Sequence, residues 1–373
     1  MNNLKNITEM KSIFKIFAVV VILTTLTAQS AYAGNDERRG TAGAAELLIN
    51  PWAASSGWGH AGMSMVHGVD AMFGNVDGIT SCHTLDIDFS HTSWLVGVGN
   101  DTRISSFGFL ARVGESSVLG LSFMSFSIGE IPITTVQNPD GGLGTYKPNL
   151  MNINLAFAKS FSNSISGGFN LKIISESIKD MGGVGVALDA GIQYVTGPFD
   201  NVHFGITLKN IGPTMKFSGD GISLRVFMDN NSNQQFTMVQ RVDDFELPTQ
   251  LSISAAYDFL FAETSRFTIA GNFCSNSFTN DQFTAGMEYG WREMFMIRAG
   301  YTYEKGIWSK QGFTEGVLYD DNCMNINRGL SAGVSIKVPL SKKEDGMKFA
   351  VDYSYRDTYT YGGTHSVGLR IIF

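Results

Sequence analysis

The sequence predicts an all-β protein: a transmembrane antiparallel β-barrel of about fourteen strands with an N-terminal plug segment. Three observations lead there. Short segments alternate apolar and polar residues with period two, the signature of strands with two unlike faces. The connections between them sort by parity into short and long. Charged residues are only 16%, against about 25% in a typical soluble domain, while Gly reaches 42 and Phe 27. Mean hydropathy is nevertheless +0.02. That balance suits sheets with lipid on one face and water on the other.

The elements follow in chain order. Lys11 and Lys15 precede an apolar run from Ile16 to about Leu26, and Ala31-Tyr32-Ala33 has the small-x-small form of a signal-peptidase site. Residues 1–33 therefore read as a secretory signal peptide, too short in its apolar run for a membrane span. No Cys follows the site. Residues 34–82 lack clean alternation and are rich in Gly, Ala and Met, with Trp52 and Trp58. They are too apolar for a free linker. A plug inside the barrel and a small periplasmic subdomain are both open; the plug is the reading adopted, because a wide lumen must be filled.

Residues 83–373 supply the barrel. Strands are expected near 83–98, 103–113, 117–128, 149–161, 165–177, 185–196, 202–210, 248–260, 266–276, 282–291, 294–304, 328–338, 347–357 and 364–373. Val202, Phe204, Ile206 and Leu208 alternate with His203, Gly205, Thr207 and Lys209. Phe295, Ile297, Ala299 and Tyr301 alternate with Met296, Arg298 and Gly300. Every even connection is short, whereas 129–148, 211–247 and 305–327 are long and odd. Short periplasmic turns opposite long outer loops mark a bacterial barrel.

The chain ends THSVGLRIIF. Val367, Leu369, Ile371 and Phe373 share one parity and are expected to face lipid, with Ser366, Gly368 and Arg370 toward the lumen. This strand must pair with the first, since an open edge in a bilayer leaves backbone groups unsatisfied. Phe373 then falls in the periplasmic aromatic girdle, where it also suits a barrel-assembly signal.

Several ordered segments resemble the PorV/PorQ family of Bacteroidota outer-membrane proteins. They are GVGVALDAGIQYVTG (183–197), FGITLKNIGPTMKF (204–217), ELPTQLSISAAYDF (246–259), AGMEYGWREMFMIRAGYTYE (285–304), GLSAGVSIKVPL (329–340) and MKFAVDYSYRDTYTYGGTHSVGLRIIF (347–373). The N-terminal GTAGAAELLINPWAASSGWGHAGMSMVHGVDAMFGN is similar to the family's opening segment, but Asn75 is followed by Val76 and Asp77 where the family has Pro and Ala. The resemblance covers nearly all of the chain after residue 33. It implies a FadL-like barrel in the cell outer membrane and a role in the type IX secretion system. Implied partners are the C-terminal signal domains of secreted cargo and the proteins of the translocon or attachment complex. Both a PorV-like shuttle and a PorQ-like attachment subunit fit.

Candidate sites are few. His60, His67, His83, His91, His203 and His365 are scattered, and neither GxSxG nor HExxH occurs, so no catalytic residue is assigned and the protein reads as a non-enzyme. Asp229, Asn231 and Asn233 begin a calcium-loop rhythm, but Gln234 and Gln240 stand where Gly and Glu are needed, which leaves a polar loop tip and no metal site. No cofactor motif appears. Net charge is −7 and the isoelectric point is about 5.4, which excludes a basic nucleic-acid face. Cys274 and Cys323 allow either a bridge or two free thiols. The long loops carry Phe227, Met228, Phe236, Trp308, Phe313 and Leu318 beside Asp220, Asp243, Asp244, Asp320 and Asp321. Those apolar residues either pack on one another or form a partner-binding groove, with an acidic field favouring basic partners. Three functions stand: a binding barrel of type IX secretion; a FadL-like channel for uptake of hydrophobic compounds, suggested by Met63, Met65 and Met72 in the plug; and a structural outer-membrane barrel with no dedicated ligand.

Overall fold

The computed structural model describes residues 38, 40–97, 102–227, 235–261, 264–305, 307, 311–314, 317–320, 326–341, 346–359 and 361–373. The expected signal peptide, the 229–233 loop tip and Cys323 lie outside the described residues.

The strands, in chain order, are β1 (Leu85–Ser93), β2 (Arg103–Arg112), β3 (Ser117–Ser127), β4 (Ile131–Pro132), β5 (Thr145–Tyr146), β6 (Asn149–Ser160), β7 (Ile165–Ile178), β8 (Met181–Thr196), β9 (Val202–Ile211), β10 (Ser223–Phe227), β11 (Gln235–Val239), β12 (Gln250–Phe261), β13 (Ser265–Asn276), β14 (Gln282–Trp291), β15 (Phe295–Glu304), β16 (Gln311–Thr314), β17 (Val317–Asp320), β18 (Asn327–Pro339), β19 (Lys348–Thr358) and β20 (Thr364–Ile372). Fourteen of them close a barrel in the order β1-β2-β3-β6-β7-β8-β9-β12-β13-β14-β15-β18-β19-β20, with β20 returning to β1. Every barrel neighbour is antiparallel. The remaining six form three hairpins, β4-β5, β10-β11 and β16-β17, each within one long loop.

The period-two sequence is the cause of this wall. Along β9, His203, Gly205, Thr207 and Lys209 are buried, while Phe204 and Ile206 are exposed. On β15, Met296 and Arg298 point inward, and Phe295 and Ile297 outward. Reversing the soluble rule, the exposed face is apolar and the buried face polar, as a bilayer requires.

Strand ends differ from expectation where turn geometry intervenes. β1 stops at Ser93 rather than running to 98, because the backbone leaves the wall: Trp94 N donates to Thr102 O, Val96 N donates to Gly363 O, and Leu95 takes φ 52°. β8 begins at Met181, ahead of the expected 185, because Gly182 and Gly183 have no side chain to reveal the alternation. The even connections are short and share a rim with the start of β1 and the end of β20; the long loops share the opposite rim.

Residues 40–82 thread the lumen. They form 3-10 turns at Ala45–Leu48, Ala61–Ser64, Gly68–Met72 and Val76–Ser81, and one helical turn, α1 (Ala53–Ser56). At the long-loop rim, Gly43 N donates to Glu246 O at 3.0 Å. At the short-turn rim, the Arg112 guanidinium donates to the carbonyls of Thr80, Cys82, His83 and Glu115. Between these ends, Trp52, Val69, Met72, Val76 and Ile79 pack against inward Leu110, Val118, Ala156 and Ala158. The main apolar core among the described residues is thus between the plug and the wall of β2, β3 and β6.

On the other wall the plug sits on glycine. A Cβ at Gly300 would fall 2.1 Å from the Trp58 carbonyl oxygen, and one at Gly333 2.9 Å from Gly57 Cα. Only a bare backbone permits that approach.

Candidate functional site

Among the described residues, the lumen gathers buried charge beside open space. On the wall opposite the apolar core, inward positions of consecutive strands form a charged ladder. His203 Nε2 lies 3.3 Å from Asp258 Oδ2. Asp258 pairs with Arg266 at 3.4 Å, Arg266 with Glu288 at 2.7 Å, and Arg298 also pairs with Glu288. Arg298 donates to Ser335 Oγ, Ser335 donates to Asp352, and Arg370 closes on Asp352 at 2.6 Å. Each charge answers the last, which is what makes such burial tolerable. A second knot joins Lys172 to Asp189 at 2.7 Å and to Asn210 Oδ1 at 2.7 Å.

Between ladder and plug lies a cavity of about 330 Å³. Trp58, Met63, Met65 and Val66 of the plug line one side, and Arg266, Arg298 and Lys337 the other. A smaller cavity, about 60 Å³, lies beyond it toward the long loops, between His60, Thr302, Ser331 and Arg356. Gly59 and His60 line both cavities. Burial, reinforced by Lys209 and Arg356, pushes the His60 imidazole down to about 3. His60 is therefore neutral near pH 7.

The long loops shape the mouth. Met215 and Phe245 exchange backbone hydrogen bonds, and Met215 packs with Leu47, Ile174 and Leu247 over the plug's first turn. Beyond this lid lies the exposed β10-β11 hairpin. Its register pairs Leu224 with Met238 and Val226 with Phe236, so these four share one face, and all four are exposed.

The residues singled out by sequence fall in separate places. Phe236 is on that hairpin face and 42% exposed. Residue Phe227 is on β10, paired with Gln235. Phe313 is on β16, a different hairpin, paired with Leu318 of β17. Met228 and Trp308 lie outside the described residues. Val367, Leu369 and Phe373 face outward at the seam, with Ile371 partly covered; Phe373 N donates to Leu85 O at 2.8 Å. Cys274 lies two residues before the end of β13 at the long-loop rim, with its thiol buried toward the lumen near Asn276. The ladder was not among the expected sites. Its signal was present, since Arg298, Lys209 and Arg370 occupy the inward parity, where a charge must find a partner. Among the described residues no cluster of three or more His, Cys, Asp or Glu is arranged to hold a metal.

No family model matches the sequence, and neither does any curated protein. Solved structures do resemble the fold. The CymD monoaromatic hydrocarbon channel superposes with a TM-score of 0.51 at 13% identity, covering 86% of this chain and 97% of that one. The Ralstonia pickettii toluene transporter TbuX gives a TM-score of 0.49 at 12% identity, over 87% and 97% of the two chains. A Pseudomonas aeruginosa FadL homologue gives 0.47 at 11% identity, over 87% and 97%. At these identities the likeness is one of fold. The closed barrel with its apolar outer wall and lumenal plug is an outer-membrane architecture, and the localisation expected from the sequence stands.

Proposed function

We propose that the chain is a non-enzymatic outer-membrane channel that admits small compounds with an apolar body. The observation that carries this reading is the lumen: the plug fills one wall and leaves two cavities along the other, both lined by Gly59 and His60. A cavity of about 330 Å³ is at the small end of ligand pockets. Trp58 and the plug methionines give it apolar surface, and the wall gives it polar anchors. The fold shared with a monoaromatic hydrocarbon channel supports the same reading. Vesicles with lipopolysaccharide in the outer leaflet, which slows free entry of hydrocarbons, test it: labelled toluene enters faster with the protein than without, and equal rates refute the channel.

A second reading rests on the β10-β11 hairpin. Leu224, Val226, Phe236 and Met238 make an uncovered apolar face, and such a face on an outer loop suits a protein partner. In that reading the barrel is the PorV-like or PorQ-like component of type IX secretion, and the hairpin holds the signal domains of secreted cargo or a translocon or attachment-complex protein. Deleting residues 223–239 then abolishes co-purification with those partners. Unchanged capture by the hairpin-less barrel rejects it.

A further inference from the structure

We propose that the outward face of β1, β2 and β3 next to the long-loop rim is a docking surface for the phosphorylated sugar headgroup of lipopolysaccharide in the outer leaflet.

The apolar outer wall is too short on these three strands. On β12 every outward residue from Leu251 to Phe261 is apolar or aromatic, about 34 Å of strand at about 3.4 Å per residue. At a tilt of about 40° that gives a height of about 25 Å, the band a bilayer covers. The outward apolar run on β1 spans only Leu85 to Phe89, on β2 Phe107 to Ala111, and on β3 Leu119 to Phe123. Each is about 14 Å of strand and about 10 Å of height. From there to the long-loop rim the outward positions are polar: His91 and Ser93, Arg103 and Ser105, Ser125 and Ser127. Register sets them in two rows, His91–Ser105–Ser125 and Ser93–Arg103–Ser127. His91 Nδ1 lies 3.0 Å from Ser105 Oγ, and His91, Ser93, Arg103 and Ser125 are exposed.

The inner face carries the matching inversion. At the same level Ile104, Met124 and Phe126 are buried together and pack with Trp94 and Leu150. Apolar inside and polar outside is the pattern of a sheet that meets water or headgroups rather than acyl chains. Arginine on a lipid face is destabilising, so polar material must lie against this part of the wall. The patch itself selects the partner. None of its six residues is acidic, and Arg103 supplies a planar donor that suits phosphate. The serine hydroxyls and the histidine supply hydrogen bonds for sugar hydroxyls. No Trp, Tyr, Phe or large aliphatic side chain stands among the six, and those are the anchors on which protein interfaces centre. The long loops fix the leaflet, because their rim is the outer one. A headgroup held this far down the wall thins the outer leaflet along the arc of β1 to β3.

Native mass spectrometry of the full chain in detergent, titrated with diphosphoryl lipid A and in parallel with phosphatidylglycerol, tests the surface. Lipid A should form its adduct at a concentration about tenfold lower than the phospholipid needs. Arg103→Ser should weaken the lipid A adduct about tenfold, the scale of one charge-assisted contact. Arg103→Lys should restore most of the loss, and Arg225→Ser, on the β10-β11 hairpin, should change nothing. Heat-modifiable migration on gels checks that the variants are folded. If Arg103→Ser does not fold, Ser105→Leu with Ser125→Leu carries the same test, because it continues the apolar wall through the patch. A genetically encoded photo-crosslinker in place of Ser93 locates the contact in intact cells and should label lipopolysaccharide. Equal binding of the two lipids, lipid A binding indifferent to the patch variants, or a crosslink to a protein in place of lipopolysaccharide overturns the inference.

Discussion

A methyl group at Gly300 should unseat the plug. The added Cβ would lie 2.1 Å from the Trp58 carbonyl oxygen and 2.4 Å from its carbon. Ordinary contact needs about 3.4 Å, so wall and plug must part by about 1 Å. The obstacle is backbone on both sides, which no rotamer change relieves. Overpacking of this kind costs about 1–3 kcal/mol, roughly a 5- to 150-fold shift away from the seated plug. The wall is tied by ladder hydrogen bonds to both neighbours, and the plug's contact on this side has none of that continuity, so the plug should be the part that moves. Hydrogen exchange followed by mass spectrometry reads it directly. In Gly300→Ala, peptides covering residues 52–65 should exchange at least about tenfold faster, while β15 remains protected. Gly271→Ala is the control, because its Cβ meets only the Thr284 carbonyl oxygen, at 3.9 Å. If Gly300→Ala protects the plug as well as the unaltered chain does, the glycine-seat argument is wrong.

Other consequences are as specific. Glu46, in the plug's first turn, is 2% exposed; burial and then the neighbouring Glu176 raise its carboxyl to about 8. The seated plug therefore holds a proton that the released segment gives up above about pH 4.5. Seating weakens as pH rises through this window, and the proton's contribution is gone above about pH 8. Limited proteolysis near residue 44 should be faster at pH 9 than at pH 6, and Glu46→Gln should flatten the difference. Arg370→Met strands the buried Asp352 carboxylate, whose other partner is Ser335; a loss of about 3–5 kcal/mol should show as a lower unfolding midpoint. Arg370→Met with Asp352→Leu should recover part of that loss, and no recovery would deny that the stranded charge is the cause. Deleting Phe373 should lower the amount of inserted barrel without altering the behaviour of the barrels that do insert; normal insertion would show that the terminal aromatic is not an assembly signal.

The wall was legible because lipid on one side and water on the other impose a strict period of two, and a one-residue slip reverses every side chain. His203, Lys209 and Arg298 announce the inner face as clearly as Phe204, Ile206 and Ile297 announce the outer. The loop hairpins were less visible. Leu224, Val226, Phe236 and Met238 alternate for too few residues to stand out within a 38-residue connection from 212 to 249. The plug's position was legible from its composition, but its seat was not. Nothing in the sequence pairs Gly300 with Trp58 or Gly333 with Gly57, because a glycine on an inward parity reads as weak strand rather than as room for another backbone. The charged ladder was hidden for a related reason: each member is an unremarkable inward polar residue until strand register sets Glu288 against Arg298 and the curl of the closing sheet turns Arg298 and Asp352 toward one Ser335. The candidate site lies in that closure, where residues distant in sequence share one lumen.

Uptake by whole cells tests the central claim most directly. A strain lacking this chain should accumulate labelled small aromatic compounds more slowly than its parent, and supplying the chain without residues 223–239 should restore the parental rate, because the lumen and not the hairpin carries the solute. Unaltered uptake in the deletion strain, together with loss of secreted proteins from the cell surface that only the hairpin-bearing chain repairs, would contradict the channel and favour the partner-binding barrel.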